Sequence, residues 1–251
     1  MSAIELNARP HKDYSLHLAE AQGVLSQAAA QYAGMEGGAP RITQASSLGA
    51  EDVVISHIVN SLKLDVEIFV LETGRLHQQT LDLMEQFKAS SRAPVIIYKP
   101  VEEAVVQFVA KEGLDAMYKS IDLRKACCNI RKMEPLDRAL KGKEAWITGL
   151  RREQSGARAD VPLVDVSEKR TKINPLANWT WGDVWHYIKE HKVAYNPLHD
   201  AFFPSIGCEP CTRAISLGED FRSGRWWWED EAAKECGLHV KSAEVSALPV
   251  R

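Results

Sequence analysis

The sequence predicts an α/β domain built on a parallel, twisted β-sheet with helices on both faces, followed by an irregular C-terminal extension. Three observations support this fold class. Short strands such as "VEIFVLET" are almost continuously apolar, helical segments alternate with them, and beyond Tyr195 prolines and glycines interrupt any regular period. Strands covered on both faces lose polar alternation, and the alternating helices supply the crossovers of a parallel sheet.

The first half of the chain contains three predicted strands and the helices between them. A helix over Leu16 to Tyr32 has helical apolar spacing and ends at the glycine-rich "GMEGGAP". The predicted strands are "RITQASS", "VEIFVLET" and "PVIIYKP". The predicted helices that follow them are "LGAEDVVISHIVNSL", Arg75 to Ser90, and Val101 to Glu112.

The second half continues the same alternation. A helix near Ile130 to Lys141 precedes the strand "EAWITGL", and "TWGDVWHYIKEH" is a further helix with Thr180 as its N-cap. We divide the chain into an N-terminal helical segment (1–40), an α/β domain (41–215) and a C-terminal segment (216–251).

Composition limits the class of protein. The chain has 251 residues, of which 45% are hydrophobic and 26% are charged, as in globular domains. We find no secretory signal and no run of eighteen apolar residues, so we expect a cytoplasmic protein that does not bind a membrane. A net charge of −3 gives no indication of a nucleic-acid surface. The clustered basic residues are typical either of solvated helix faces or of a pocket for a small, multiply charged anion.

Two segments bring four of the five cysteines into pairs. Cys127 and Cys128 are adjacent in "KACCNIRK", and Cys208 and Cys211 form a CxxC in "GCEPC". Adjacent α-carbons lie about 3.8 Å apart, whereas a relaxed disulfide needs roughly 4.4–6.8 Å, so a bond between Cys127 and Cys128 would be strained. Four thiols suit zinc or a 4Fe–4S cluster. Neighbouring thiols wrap one ion poorly but can reach separate irons, which favours the cluster. Unconnected core cysteines are the remaining alternative.

The segment "ASSLGAED" joins a predicted strand to a predicted helix. Ser46, Ser47 and Gly49 would line a tight turn whose amides point at an anion, although an ordinary capped turn has the same pattern. Glu51 and Asp52 suit the first turn of a helix, and we expect their charges to face away from any bound anion.

The C-terminal segment carries the remaining candidate residues. Arg222 and Arg225 in "FRSGRWWWE" are three residues apart and could grip one anion from the same side. Cys236 in "ECGLH" is either an incidental exposed thiol or a nucleophile. His239 is either a nearby cation or an ordinary surface histidine.

Taken together these segments resemble the assimilatory adenylyl-sulfate (APS) reductases, relatives of the phosphoadenylyl-sulfate (PAPS) reductases. The resemblance extends from about Ile42 to His239 and is carried by "SSLGAED", "LETGRLH", "CC", "TGLRREQS", "YNPLHD", "PSIGCEPCTR", "GEDFRSGRWWWE" and "ECGLH". It implies an adenine-nucleotide α-hydrolase-like fold with a modified PP-loop, a 4Fe–4S cluster, and thioredoxin or glutaredoxin as reductant. We also expect a homo-oligomer. Leu48 replaces the first glycine of the pattern S-G-G-x-D-S of related ATP pyrophosphatases, which argues against ATP activation.

The resemblance also implies a reaction. The Cys236 thiolate would attack the sulfur of adenylyl sulfate and release AMP, and a reductant thiol would then release sulfite from the S-sulfocysteine. The two thiols supply both electrons, so the cluster is expected to act through charge and position. The implied substrate-binding residues are Ser46, Ser47, Gly49, Lys132, Arg151, Arg222, Arg225 and His239, and the implied cluster ligands are Cys127, Cys128, Cys208 and Cys211.

Three alternatives stay open. The first is reduction of PAPS or of both nucleotides, for which Arg158, Lys169 or Arg170 could supply the charge that a 3′-phosphate needs. The second is a PP-loop enzyme that thiolates RNA, and the third is a non-enzymatic cluster-binding sensor.

Overall fold

Six strands form one sheet in the computed structural model, which describes residues 1–35, 38–166 and 170–229. The strands lie in the order β3-β2-β1-β4-β6-β5. All neighbouring pairs are parallel except β5 and β6, so the predicted parallel sheet is confirmed with one antiparallel strand added at its edge. The strands are β1 (Ile42–Ser46), β2 (Glu67–Leu71), β3 (Val95–Tyr98), β4 (Ala145–Ile147), β5 (Val164–Val166) and β6 (Thr171–Ile173).

Helices connect the strands and cover both faces of the sheet. Successive side chains of β2 show the two faces, because Phe69 packs with Leu136 and Leu140 whereas Ile68 joins a larger cluster that contains Ile55 and Trp185. The helices are α1 (Ala3–Asn7), α2 (Tyr14–Gln31), α3 (Ala50–Ser61), α4 (Gln78–Ser90), α5 (Glu102–Glu112), α6 (Ile121–Cys128), α7 (Glu134–Ala139) and α8 (Trp181–His191). In the described ranges, no helix has the length and apolar character needed to span a bilayer.

The region around the paired cysteines differs from the prediction. Cys127 and Cys128 end helix α6, whereas the sequence predicted that a helix would begin only after them. A π-helical turn, Asn129–Met133, joins α6 directly to α7. The buried side chains of α6 are Arg124 and Cys127, so an apolar period does not identify this helix.

The predicted N-cap of α8 is confirmed. The Thr180 hydroxyl accepts a hydrogen bond from the Asp183 amide, and the Asp183 carboxylate accepts one from the Thr180 amide. Asp183 is fully buried and also accepts a hydrogen bond from the His11 amide at 2.7 Å. The cap therefore fixes the N-terminal segment to the α/β domain.

The connectivity creates a crevice between two neighbouring strands. From β1 the chain continues to β2 and β3 on one side, then returns through α6 and α7 to β4 on the other side of β1. The carboxyl ends of β1 and β4 therefore flank a topological switch point, where open α/β sheets bind their ligands.

Candidate functional site

A cavity of about 210 Å³ opens at this switch point. Its walls come from the segments that follow three adjacent strands and from two C-terminal loops. These segments are Ser46 to Gly49 after β1, Leu71 to Thr73 after β2, Thr148 to Leu150 after β4, and the loops at 204–208 and 221–226.

The turn after β1 has the tight geometry that the sequence predicted. Ser46 Oγ accepts a hydrogen bond from the Leu48 amide at 3.3 Å, and the amide of Gly49 lies 3.4 Å from Ser47 Oγ. Leu48 has a φ of 60°, a left-handed conformation that costs a non-glycine residue about 1–2 kcal/mol. Its fully buried side chain packs with Val70 and Leu83, which offsets that cost.

Asp52 holds this turn from the first turn of α3. Its Oδ2 accepts hydrogen bonds from both the amide and the hydroxyl of Ser47, each at 2.7 Å. A Cβ on Gly149 would lie 2.4 Å from Asp52 Oδ1, so the glycine provides the space for the carboxylate. Burial raises the pKa of Asp52 to about 6, the Ser47 hydrogen bonds oppose the shift, and the charge of Glu51 adds to it.

Glu51 and Asp52 both line the cavity. Arg151 offsets the charge of Glu51 in the cavity wall, because Arg151 Nε donates to Glu51 Oε1 at 2.9 Å. The Arg151 guanidinium is buried near the rings of Trp181, at 5.2 Å, and Phe221, at 5.9 Å, which contact each other edge to face. In the described part of the chain Arg151 is absent from the cavity lining, so it supports Glu51 from behind the wall.

Four basic residues do line the cavity: Lys132, Arg158, Arg222 and Arg225. Two hydrogen bonds fix Arg225, whose Nη1 donates to Ser205 Oγ at 3.3 Å and to the Ile206 carbonyl at 3.2 Å. A Cβ on Gly207 would lie 2.4 Å from Arg225 Nη2, so this glycine makes room for the guanidinium. Ser46, Ser47, Gly49, Lys132, Arg222 and Arg225 are thus brought together around one cavity, as the sequence predicted.

The four paired cysteines surround a second, smaller pocket beside the first. Cys127 and Cys211 are buried, whereas Cys128 and Cys208 are half-buried, and all four are free thiols. Arg75, Arg124 and Arg131 line the same pocket. Arg124 forms a hydrogen bond with Cys128, and Arg131 forms one with Cys127.

The environment of these thiols decides what they can bind. Burial raises the pKa of Cys211 to about 12, and the three other cysteines add to the shift while Arg225 opposes it. Without a metal group the Cys211 thiol would therefore keep its proton, and a metal group would replace that proton with positive charge. Within residues 1–35, 38–166 and 170–229, no three Cys, His or acidic side chains are grouped to hold a single metal ion. The donor set fits a 4Fe–4S cluster, in which each thiolate binds a different iron, and the arginines offset its net negative charge.

The two pockets share a wall. Lys132 and Cys208 line both of them, and Thr73 Oγ1 in the larger cavity lies 3.2 Å from Cys208 Sγ. Thr73 and Gly149 were not among the site residues predicted from the sequence. Each lies two residues after a strand, β2 and β4 respectively, at the carboxyl edge of a parallel sheet, and this position could have identified them as site residues.

Three predicted residues lie outside the described ranges. They are the predicted nucleophile Cys236, the predicted substrate ligand His239, and Lys169, one of the candidates for a 3′-phosphate contact. Their roles stay predictions.

The family follows from comparison with known proteins. Residues 41–214 match the model of the phosphoadenosine phosphosulfate reductase domain. The chain belongs to this family. It is 50% identical over 200 residues to the adenosine 5′-phosphosulfate reductase of Allochromatium vinosum, which covers 79% of this chain and 78% of that protein. It is also 50% identical over 211 residues to the adenosine 5′-phosphosulfate reductase of Burkholderia cepacia, covering 83% and 84%.

Solved structures agree with this assignment. The phosphoadenylyl-sulfate reductase of Candida auris, in a phosphate complex, superposes with a TM-score of 0.62 at 32% identity, over 78% of this chain and 93% of that chain. The FMN adenylyltransferase of Candida glabrata gives a TM-score of 0.54 at 10% identity, over 92% of this chain and 80% of that chain. The second likeness concerns the fold alone.

Proposed function

We propose that the protein reduces adenylyl sulfate to sulfite and AMP in sulfate assimilation. The observation that carries the proposal is the shared wall, because Lys132 and Cys208 join a cavity lined by basic residues to a pocket of four cysteines. Adenylyl sulfate carries a phosphate and a sulfate joined by an anhydride, and such an anion needs several cations in one cavity. The named relatives are adenosine 5′-phosphosulfate reductases, which favours this nucleotide over its 3′-phosphorylated form.

The cavity residues divide into two groups. Lys132, Arg222 and Arg225 neutralise the phosphate and sulfate, so that an anionic nucleophile can approach an anionic substrate. Ser46, Ser47 and Gly49 shape the turn that receives the nucleotide. We assign Arg151 a positioning role, because its guanidinium is hydrogen-bonded to Glu51 and lies close to two aromatic rings.

The chemistry belongs to Cys236. Its thiolate attacks the sulfur, the bond between that sulfur and the bridging oxygen breaks, and AMP leaves as the cysteine becomes an S-sulfocysteine. A thiol of thioredoxin or glutaredoxin then attacks the Cys236 sulfur, forms a mixed disulfide and releases sulfite. Sulfur passes from +6 to +4, and the oxidation of two thiols to one disulfide supplies both electrons. His239 would favour the thiolate through its charge.

Cys127, Cys128, Cys208 and Cys211 would hold the 4Fe–4S cluster. When bound, the cluster would supply electrostatic stabilisation and rigid positioning beside the substrate cavity. Lys132 is placed to act on both sides of the shared wall. The enzyme is proposed to work in the cytoplasm as a homo-oligomer.

Sulfur-labelled adenylyl sulfate tests the nucleophile. Wild-type protein, incubated without reductant, should retain the label through denaturation and lose it on addition of reduced thioredoxin. Cys236→Ser should retain none, although its visible absorbance and its iron content equal those of wild type. Label retained by Cys236→Ser would refute the assignment of Cys236.

Two further measurements test the substrate and the cofactor. Sulfite release from adenylyl sulfate should exceed release from phosphoadenylyl sulfate, and the reverse order would assign the protein to PAPS reduction. Anaerobically purified protein should absorb in the visible range and contain iron and acid-labile sulfide. Colourless protein with tightly bound zinc would refute the cluster.

A further inference from the structure

The Ser47 to Gly49 turn has an unusual feature for an anion-binding loop. Turns of this kind, between a strand and a helix N-terminus, offer backbone amides and hydroxyls to phosphate. Here the amide and the hydroxyl of Ser47 already donate to the Asp52 carboxylate. The turn is therefore satisfied by an anion of the protein itself.

The sequence supports the same interpretation. In the ATP-pyrophosphatase pattern S-G-G-x-D-S, alignment on Gly49 as the second glycine puts Glu51 at the aspartate position and Asp52 at the final serine. A hydroxyl at this last position can donate to a phosphate. A carboxylate accepts hydrogen bonds from the amide and hydroxyl of the turn itself and repels the phosphate.

The two acidic residues of this turn have different environments. Glu51 is neutralised by Arg151 at 2.9 Å and accepts a further hydrogen bond from Gln154. Both hydrogen bonds at Asp52 Oδ2 come from the uncharged Ser47, and its Oδ1 lies against the space that Gly149 leaves open. Among the described residues, Asp52 therefore lies in the cavity wall with hydrogen-bond partners but without an ion pair such as that of Glu51.

We propose that Asp52 is a specificity-determining residue that excludes a pyrophosphate group from the Ser47 to Gly49 turn. Its carboxylate takes the donors of the turn and keeps ATP from competing for the cavity. ATP shares the adenosine and the 5′-phosphate of adenylyl sulfate but continues into a pyrophosphate, which carries more negative charge than the sulfate and is therefore repelled more strongly by a carboxylate. The inference rests on the proposed function in taking an adenosine 5′-phosphate as the ligand of this cavity.

The test compares the binding of AMP, ATP and inorganic pyrophosphate to the full-length protein with its cofactor bound, by calorimetry without magnesium. Asp52→Asn removes the charge and keeps an oxygen that accepts from Ser47, and Asp52→Ser restores the hydroxyl of the ATP-pyrophosphatase pattern. Both variants should bind AMP within about threefold of wild type. Both should bind ATP and pyrophosphate at least about tenfold more tightly, because juxtaposed like charges strongly disfavour binding.

Two control variants separate charge from a loosened loop. Glu85→Gln removes one negative charge from the exposed face of α4, away from the cavity lining, and should change none of the affinities. Ser47→Ala disturbs the same turn but keeps the Asp52 carboxylate, and should show no gain for ATP or pyrophosphate. Equal gains in Ser47→Ala and Asp52→Asn would overturn the proposal.

The outcomes also separate this inference from the proposed function. An unchanged ratio of ATP to AMP affinity in both Asp52 variants would overturn the role of Asp52 and leave the proposed function standing. Failure of wild-type protein to bind AMP would contradict the proposed function, while the pyrophosphate measurements would still decide the role of Asp52. Binding of AMP by each variant reports that its cavity has folded.

Discussion

Replacing Glu229 by glutamine should destabilise the protein strongly through a single buried ion pair. Arg124 Nε donates to Glu229 Oε1 at 3.0 Å and Nη2 donates to Oε2 at 2.8 Å, with side chains that are only 2% and 3% exposed. The Arg124 guanidinium also lies 4.7 Å from the centre of the Trp226 ring. The pair therefore connects the C-terminal segment to helix α6, which carries Cys127 and Cys128.

The size of the effect follows from the burial. Removing one partner of a buried pair leaves a charge without compensation and costs about 3–5 kcal/mol. Glutamine keeps the shape and one acceptor oxygen, so we expect about 3 kcal/mol, the low end of that range. For a chain of this size each kcal/mol lowers Tm by about 2–4 °C, so Tm should fall by about 6–12 °C.

The assay is thermal unfolding of the two proteins at neutral pH and matched salt, with urea unfolding as a second measure. Glu219→Gln is the matched control in the same segment. Glu219 also accepts two hydrogen bonds from one arginine, Arg213, at 2.7 and 3.0 Å, but these side chains are 32% and 37% exposed. Its Tm should stay within about 2 °C of wild type because solvent screens exposed pairs. Equal shifts in the two variants would refute the reasoning from burial.

Three further changes have defined outcomes. Thr180→Ala removes the cap hydroxyl from the Asp183 amide and should lower the free energy of unfolding by about 1 kcal/mol in urea titrations, whereas Thr180→Ser should be close to wild type. Burial lowers the pKa of His199 to about 4, so the folded state keeps this ring neutral. The unfolded state protonates it below about pH 6.5, so the free energy of unfolding falls as pH drops from 6.5 towards 4. His199→Gln should reduce the acid loss between those pH values by up to about 3 kcal/mol, and an unchanged pH profile would contradict this. Gly149→Ala places a Cβ 2.4 Å from Asp52 Oδ1 and should weaken AMP binding at least about tenfold, while far-ultraviolet circular dichroism stays that of a folded protein.

The central strands could be predicted from the sequence because burial on both faces leaves a visible apolar run. The last two strands on the other side of the sheet, β6 and the edge strand β5, could not. Every residue of β5 is exposed, including Val166 at 77%, and β6 contributes only Ile173 to the core. Three-residue strands with charged neighbours carry no period that distinguishes them from a loop.

Helix α6 illustrates a second limit. Arginine is treated as polar when the spacing of apolar residues is used to predict a helix, yet Arg124 is a buried residue of this helix. Its partner Glu229 lies 105 residues further along the chain, so no local pattern records the pairing. The same limit applies to Arg151, whose partner Glu51 lies 100 residues away.

The candidate site was predictable where the chemistry is carried by residue type. Four cysteines in two pairs predict a shared pocket, and the structure places them around one. The placement of the acidic residues Glu51 and Asp52 in the cavity wall could be learned only from the structure. The positions of Ser47 and Gly149 around Asp52, and of Arg151 beside Glu51, are needed to explain how two acidic residues can line a cavity that basic residues also line.

The π-helical turn Asn129–Met133 has a consequence for how this protein can vary. An α-helix advances by about 100° per residue, so one extra residue in a turn rotates everything before it relative to everything after it. The turn sets the angle between the paired thiols at the end of α6 and Leu136 of α7, which packs on the sheet. Deleting a single residue there would restore regular helical bonding and yet swing both sulfurs about a quarter of a revolution away from Cys208 and Cys211. Insertions and deletions in this stretch should therefore be far less tolerated than substitutions.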